Sequence, residues 1–241
     1  NEYPHPSFTV SRDSNLSESL VTLDGSASFD PEGDPIYSWW HSDIDGDLPT
    51  AIGNPLALQT HLSQGTHTLS LRLSDDDSYH VNQWSAPFQV TLEVVNSPPR
   101  AQIMLPTNGT DGNSGDFIDF SSFGSGDWDA PCSEAFPEMS SGWWCNPGSP
   151  ATPDTVTPVW TSNLLSEPIG TDWEVQARLP SGTNVVTLTV SDGINPAQTS
   201  SVTLDISKSA PILVLTSPVD GIEVVSDEDV VESVDAPSDL E

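Results

Sequence analysis

The sequence predicts an all-β chain built as two antiparallel β-sandwiches in tandem, and three observations carry that expectation. The 241 residues include 22 Pro and 16 Gly and show no long helical periodicity. Apolar residues fall instead in short alternating runs rich in Val, Thr and Leu, the period of a strand with one buried face. The chain also repeats itself: GTHTLSLRLSD from Gly65 matches GTNVVTLTVSD from Gly182, so Leu69, Leu71 and Leu73 stand where Val186, Leu188 and Val190 stand.

The other elements follow in the same order in both halves. Val21 and Leu23 of VTLD match Ile118 and Phe120 of IDFS, each pair marking the inward face of a short strand. The acid-rich turn after the first of these aligns Asp30 with Asp127 and Glu32 with Asp129. Next, Trp40-His41-Ser42-Asp43 matches Trp160-Thr161-Ser162-Asn163. Trp40 is preferred to Trp39 because Ser42 then falls on Ser162, and a slip of one residue would turn the strand over. One tryptophan per half, Trp40 or Trp160, is placed to fill the space between two sheets. Gln59 and Leu62 match Gln176 and Leu179, and the long strand of the opening match follows. Val90, Leu92 and Val94 match Val202, Leu204 and Ile206, before Pro98-Pro99 in one half and Ala210-Pro211 in the other. Short strands separated by Gly, Pro, Asp and Asn turns over about 100 residues are the pattern of a Greek-key sandwich. The expected domains are residues 1–97, 98–209 and a remainder, 210–241. Proline fixes φ and restricts its predecessor, so the Pro98-Pro99 junction should limit hinge freedom.

Two segments have no counterpart in the alignment. Between Asp129 and Val159 the second half carries an insertion with Cys132, Trp143, Trp144 and Cys145. A disulfide between Cys132 and Cys145 would staple that loop, while free thiols are the other reading. Trp143 and Trp144 suit either of two roles, stacking on sugar rings or packing over the sandwich edge. After Pro211 the run ILVLTSPVDGIEVVS opens like a third repeat. The chain that remains is too short for another domain, which leaves a truncated module, an acidic tail or a strand donated to a neighbouring subunit.

Charge narrows the choice of partner. Asp and Glu number 36 against 5 Lys and Arg, a formal net of -31. The cations are Arg12, Arg72, Arg100, Arg178 and Lys208, too few for a face that binds nucleic acid or an anionic membrane. Such self-repulsion is relieved where cations are abundant, as in seawater, brine or an extracellular fluid. Asn15-Leu16-Ser17 and Asn108-Gly109-Thr110 are N-glycosylation sequons, in keeping with a surface setting. The sequence carries neither signal peptide nor membrane span. A signal removed ahead of Asn1 and an anchor beyond Glu241 are both compatible with that.

Leu23-Asp24-Gly25-Ser26-Ala27-Ser28 with Asp30-Pro31-Glu32-Gly33, then Tyr37-Ser38-Trp39-Trp40, Gly65-Thr66-His67-Thr68 and Leu73-Ser74-Asp75, resembles the PKD-type immunoglobulin-like repeat. The likeness covers most of the first half and extends more weakly over the second. It is nearest to the acidic variety found along large secreted proteins of archaea and bacteria. Trp40 to Gly46 departs from the usual aromatic-Gly-Asp-Gly turn. The resemblance implies tandem immunoglobulin-like sandwiches in non-catalytic work at the cell surface: spacing, adhesion, fibre formation or support of an attached enzyme. Partners would be other surface or matrix proteins, further copies of the chain, or polysaccharide.

It also implies calcium between the loops at one end of a sandwich. Calcium takes roughly six to eight oxygens and tolerates irregular geometry, so carboxylates alternating within a turn suit it. Candidates are Asp30, Glu32, Asp34, Asp75 and Asp76 in the first half, and Asp127, Asp129 and Asp192 in the second. The competing reading is that these acids form turns and solvate the surface. Asp43-Ile44-Asp45-Gly46-Asp47 looks like a calcium loop but lacks the downstream glutamate of an EF-hand, so a tight turn is expected. No nucleophile elbow, phosphate loop or dinucleotide fingerprint occurs, and His5, His41, His61, His67 and His80 lack zinc-site spacing. Surface or cross-strand histidines are expected, and no enzymatic activity.

Overall fold

The computed structural model describes residues 2–48, 56–75, 84–131, 144–146, 153–210, 215–217 and 233–234, with backbone alone at 131, 144–146, 215–217 and 233–234. All its regular elements are strands. In chain order they are β1 (Thr9–Arg12), β2 (Val21–Asp24), β3 (Tyr37–Ser42), β4 (Gly46–Leu48), β5 (Ala57–Thr60), β6 (Gly65–Ser74) and β7 (Phe88–Val94). There follow β8 (Asp111–Asn113), β9 (Ile118–Ser121), β10 (Gly126–Pro131), β11 (Trp144–Asn146), β12 (Thr157–Ser162), β13 (Glu174–Ala177), β14 (Gly182–Ser191), β15 (Gln198–Ser207), β16 (Leu215–Ser217) and β17 (Ser233–Val234). Two compact units result, one of Asn1–Arg100 with Gly124–Thr157 and Val190–Gln198, the other of Ala101–Phe123, Pro158–Thr189 and Thr199–Glu241.

In the first unit a sheet in the order β1-β2-β5 faces one in the order β4-β3-β6-β7. Alternation explains the layer between them. Val21 and Leu23 of β2, Leu58 of β5, Trp40 of β3, Leu69, Leu71 and Leu73 of β6 and Val94 of β7 all point inward and form one cluster. Gly25, just past β2, lets the layers close: a Cβ there would lie 3.1 Å from the Leu56 carbonyl oxygen and 3.2 Å from both Leu71 and Trp40. Trp40 is 1% exposed, so the register expected from Ser42 is the observed one. Trp39 points outward, stacked on His41 at 5.0 Å with the Arg72 guanidinium 5.8 Å from its ring centre. A parallel pair, β10-β11, completes this unit.

The second unit repeats the plan with a β13-β9 pair and a sheet in the order β12-β14-β15-β8. Phe120 of β9 and Trp160 of β12 meet at 5.6 Å and are buried with Leu179, Val186, Leu188, Val202, Leu204 and Ile206. The repeat holds at the level of pairing. Gln59 lies opposite Thr22 and donates to its hydroxyl at 3.2 Å; Gln176 lies opposite Asp119 and donates to its carboxylate at 2.7 Å. Near the C-terminus β16 pairs antiparallel with β17 of the same chain.

A buried polar lock also recurs. Ser42 Oγ lies 2.8 Å from His67 Nδ1, and His67 Nε2 lies 2.7 Å from the Ser63 carbonyl. At the matching positions Ser162 donates to Asn184 Oδ1 at 3.0 Å and Asn184 Nδ2 donates to the Pro180 carbonyl at 2.8 Å. Asp43 and Asn163 each accept a backbone N–H, from Thr68 and Val185, at 2.6 Å. Of the two placements expected for the histidines, His67 takes the cross-strand one, bonded from β6 to Ser42 of the neighbouring β3. It is fully buried because its ring substitutes for an asparagine in a structural hydrogen-bond relay.

Candidate metal centre

Three aspartates from separate stretches of the first unit converge. Asp127 lies one residue into β10, after a glycine at φ 145°, and its Oδ1 accepts the Asp129 N–H at 2.8 Å. Asp154 precedes β12, fixed by its own N–H to the Asp129 carbonyl at 3.0 Å. Asp192 follows β14, where Oδ1 accepts the N–H groups of Ile194 and Asn195, both at 2.9 Å, in an Asx turn. One carboxylate oxygen from each of Asp127, Asp154 and Asp192 lies within 4.8 Å of the others. Two oxygens on opposite sides of a calcium ion are about 5 Å apart.

A shell of neutral donors holds these carboxylates in place. Asp129 Oδ2 accepts from Ser17 Oγ and from the Ser97 N–H, each at 2.7 Å. Asp154 accepts from Gln64 at 3.1 Å and from Asn96 at 2.5 Å. Asn195 Nδ2 donates to Asp192 Oδ2 at 2.9 Å and to the Ser97 carbonyl at 3.1 Å, and it also meets Asn96 Oδ1. Asp127 is different: it is fully buried, and its Oδ2 has no hydrogen-bond partner among the described residues.

The electrostatics follow from that arrangement. Burial pushes Asp127 up to about 7, against the Asp129 N–H bond and with help from the charges of Asp129, Asp192 and Asp154. Asp129 is also raised, mainly by burial, although Ser17 and Ser97 oppose the shift. Burial works against ionisation of Asp192 too, but its bonds from Asn195 and Ile194 outweigh it and hold the group below the usual carboxylate range. Without a cation, burial and the neighbouring charges favour the protonated form of Asp127. Hard all-oxygen donors suit calcium or magnesium and offer zinc none of its usual nitrogen or sulfur.

Of the acids expected from the sequence, the structure brings Asp127 and Asp192 together and sets Asp129 beside them as a bracket to Ser17 and Ser97. Asp154 was not anticipated, because it lies in the stretch with no counterpart in the repeat. An acid just ahead of a strand entry was its one available signal. In the first half Asp30 is buried; its Oδ1 accepts from Glu32 and Asp34 N–H groups at 2.9 and 3.0 Å, and its Oδ2, like that of Asp127, has no partner among the described residues. Glu32 and Asp34 are exposed, and Asp75 is half-buried. Asp76 lies outside the described residues. Asp43 and Asp45 accept from the Thr68 and Ser63 N–H groups at 2.6 and 3.1 Å, and Gly46 has φ 76°, which is the tight turn expected there.

Cys132 and Trp143 also lie outside the described residues, as do the side chains of Trp144 and Cys145. Trp128 packs against His61 with ring centres 4.7 Å apart. Asn15 and Asn108 are exposed, while the Ser17 hydroxyl of the first sequon is engaged with Asp129 and Asn108 Oδ1 accepts the Thr203 N–H at 2.8 Å.

The chain is thus an all-β protein of tandem immunoglobulin-like sandwiches with an aspartate triad, two members buried and Asp154 half-buried, able to hold a metal ion. No family model matches it, and neither does any curated protein. Among solved structures it is similar to the fibronectin(III)-like modules of Clostridium thermocellum CbhA, with 13% identity and TM-score 0.32 over 83% of this chain and 94% of that one. It is also similar to three N-terminal domains of the bacteriophage RB49 outer capsid protein Hoc, with 12% identity and TM-score 0.33 over 98% and 70%. A third likeness is to the Yersinia pseudotuberculosis adhesin InvE, with 14% identity and TM-score 0.26 over 83% and 60%. Overlaps of this size assign neither activity nor partner, and the fold class rests on the sheets themselves.

Proposed function

We propose that the chain is a non-catalytic structural or adhesive segment of a secreted or cell-surface protein, of the PKD-like immunoglobulin type, stiffened by calcium. The observation that carries this reading is the buried Asp127 carboxylate, whose Oδ2 has no partner among the described residues and which converges with two further carboxylates. A cation supplies the missing partner, and a divalent one offsets most of the local charge. The net charge of -31 supports a setting rich in cations, as an extracellular or saline fluid is. Ser42, His67 and Asp45 look superficially like a hydrolytic set. The same lock made with Asn184 in the second repeat supports a structural role instead. Partners on this reading are other surface or matrix proteins.

Thermal unfolding in calcium, in magnesium and in chelator at one ionic strength tests the proposal. A calcium-selective rise in Tm is expected. An equal response to every salt would leave the acids as general solvation and sink the calcium reading.

A further inference from the structure

The ligand stretches differ in a way that bears on what an ion would do. Asp127, Asp154 and Asp192 come from segments 124–157 and 190–198, whereas Ser17, Gln64, Asn96 and Ser97, which hold the cluster from outside, belong to the first hundred residues. Four of the bonds from the first hundred residues end on carboxylates, those of Ser17 and Ser97 to Asp129 and of Gln64 and Asn96 to Asp154; the Asn195 bond to the Ser97 carbonyl and the Arg100–Gly126 backbone bridge at 2.8 and 3.0 Å are further links. Bringing Asp127, Asp154 and Asp192 together concentrates up to three negative charges, and buried Asp127 carries an Oδ2 with no hydrogen-bond partner among the described residues. Repulsion alone would open this assembly; a cation at its centre would close it.

We propose that Asp127, Asp154 and Asp192 ligate one calcium ion, and that this ion is a latch fastening residues 126–130, 153–157 and 190–198 to the sheets of the first hundred residues. The assignment rests on the calcium reading above and adds to it the ligands and the consequence. Three carboxylates leave the rest of the shell to carbonyls and water, as calcium's six to eight oxygens allow. Asp129 is a positioning residue: its Oδ2 accepts from Ser17 and Ser97, its carbonyl accepts the Asp154 N–H, and it lies outside the converging triad. Release of the ion should therefore loosen the Ser97, Asp154 and Asn195 amides together while leaving the β6 core closed.

The test uses the full chain, stripped with chelator and titrated with calcium alone by calorimetry, followed by hydrogen exchange with and without the ion. The wild type should take up one calcium at this site. Asp127→Asn keeps an oxygen to accept the Asp129 N–H and should weaken that uptake at least 100-fold, whereas Asp47→Asn, away from the cluster, should not. Calcium should slow exchange at Ser97, Asp154 and Asn195 at least tenfold and leave Leu69, Leu71 and Leu73 unchanged. Uptake that survives Asp127→Asn would overturn the ligand assignment yet keep calcium as the ion. Uptake lost in Asp127→Asn without any change in exchange would overturn the latch alone. No uptake by the wild type would overturn both this proposal and the calcium reading.

Discussion

The Ser42 hydroxyl lies 2.8 Å from Nδ1 of His67, with both side chains fully buried between the sheets of the first unit. Asn184 occupies the equivalent place and satisfies equivalent partners, Ser162 and the Pro180 carbonyl. His67→Asn should therefore be nearly neutral in urea unfolding. His67→Leu removes one buried partner from the Ser42 hydroxyl and one from the Ser63 carbonyl and should cost about 1–3 kcal/mol. Equal costs for the two substitutions would refute the shared lock.

Trp40 and Trp39 are neighbours with opposite fates, 1% exposed and outward-facing respectively. Trp40→Ala should cost about 3–5 kcal/mol by opening a core cavity, and Trp39→Ala below about 1 kcal/mol. Chemical denaturation of the two variants decides the register of β3, since a slipped strand would reverse the order.

Gly25→Ala should destabilise by about 1–3 kcal/mol, because the added methyl meets Leu71 and Trp40 at 3.2 Å and a backbone oxygen at 3.1 Å. Gly33→Ala should cost only the backbone strain of φ 83°, about 1 kcal/mol, since nothing lies within 4 Å of its added carbon. Comparable Tm losses with open and crowded surroundings would contradict the packing around Gly25.

The pH dependence of the calcium-free protein has a definite sign. Asp127 titrates near 7 when folded and near 3.8 as a free group, so between those values the folded state holds more protons than the unfolded one. The contribution of Asp127 to stability should accordingly be full at acid pH and fall by at most about 1.4 kcal/mol per pH unit as pH rises toward 7. Asp127→Asn removes this dependence and should raise calcium-free stability at pH 7. Melting curves from pH 4 to 8 in chelator check both statements; a wild type that gained stability relative to Asp127→Asn across that range would contradict them.

Much of the architecture was legible because a strand writes its burial in a period of two. The triples Leu69-Leu71-Leu73 and Val186-Leu188-Val190, the choice of Trp40 over Trp39, and the matching of Gln59 with Gln176 all reappear as buried faces and paired registers. Asp127 and Asp192 could be picked out as well, since turns repeat in register with the strands they join. Asp154 could not: its stretch has no partner in the repeat, and its place beside them is set by where the chain passes after residue 152. His67 stands two residues before Leu69, so the same period turns it inward. What it bonds there, Ser42 and the Ser63 carbonyl, depends on which strand and turn lie alongside β6. Local alternation by itself determined which residues face inward. Which loop ends meet, and whether their carboxylates are bracketed, unpartnered or exposed, was decided only by the tertiary path, because those contacts join residues 32 to 112 positions apart whose proximity no local period encodes.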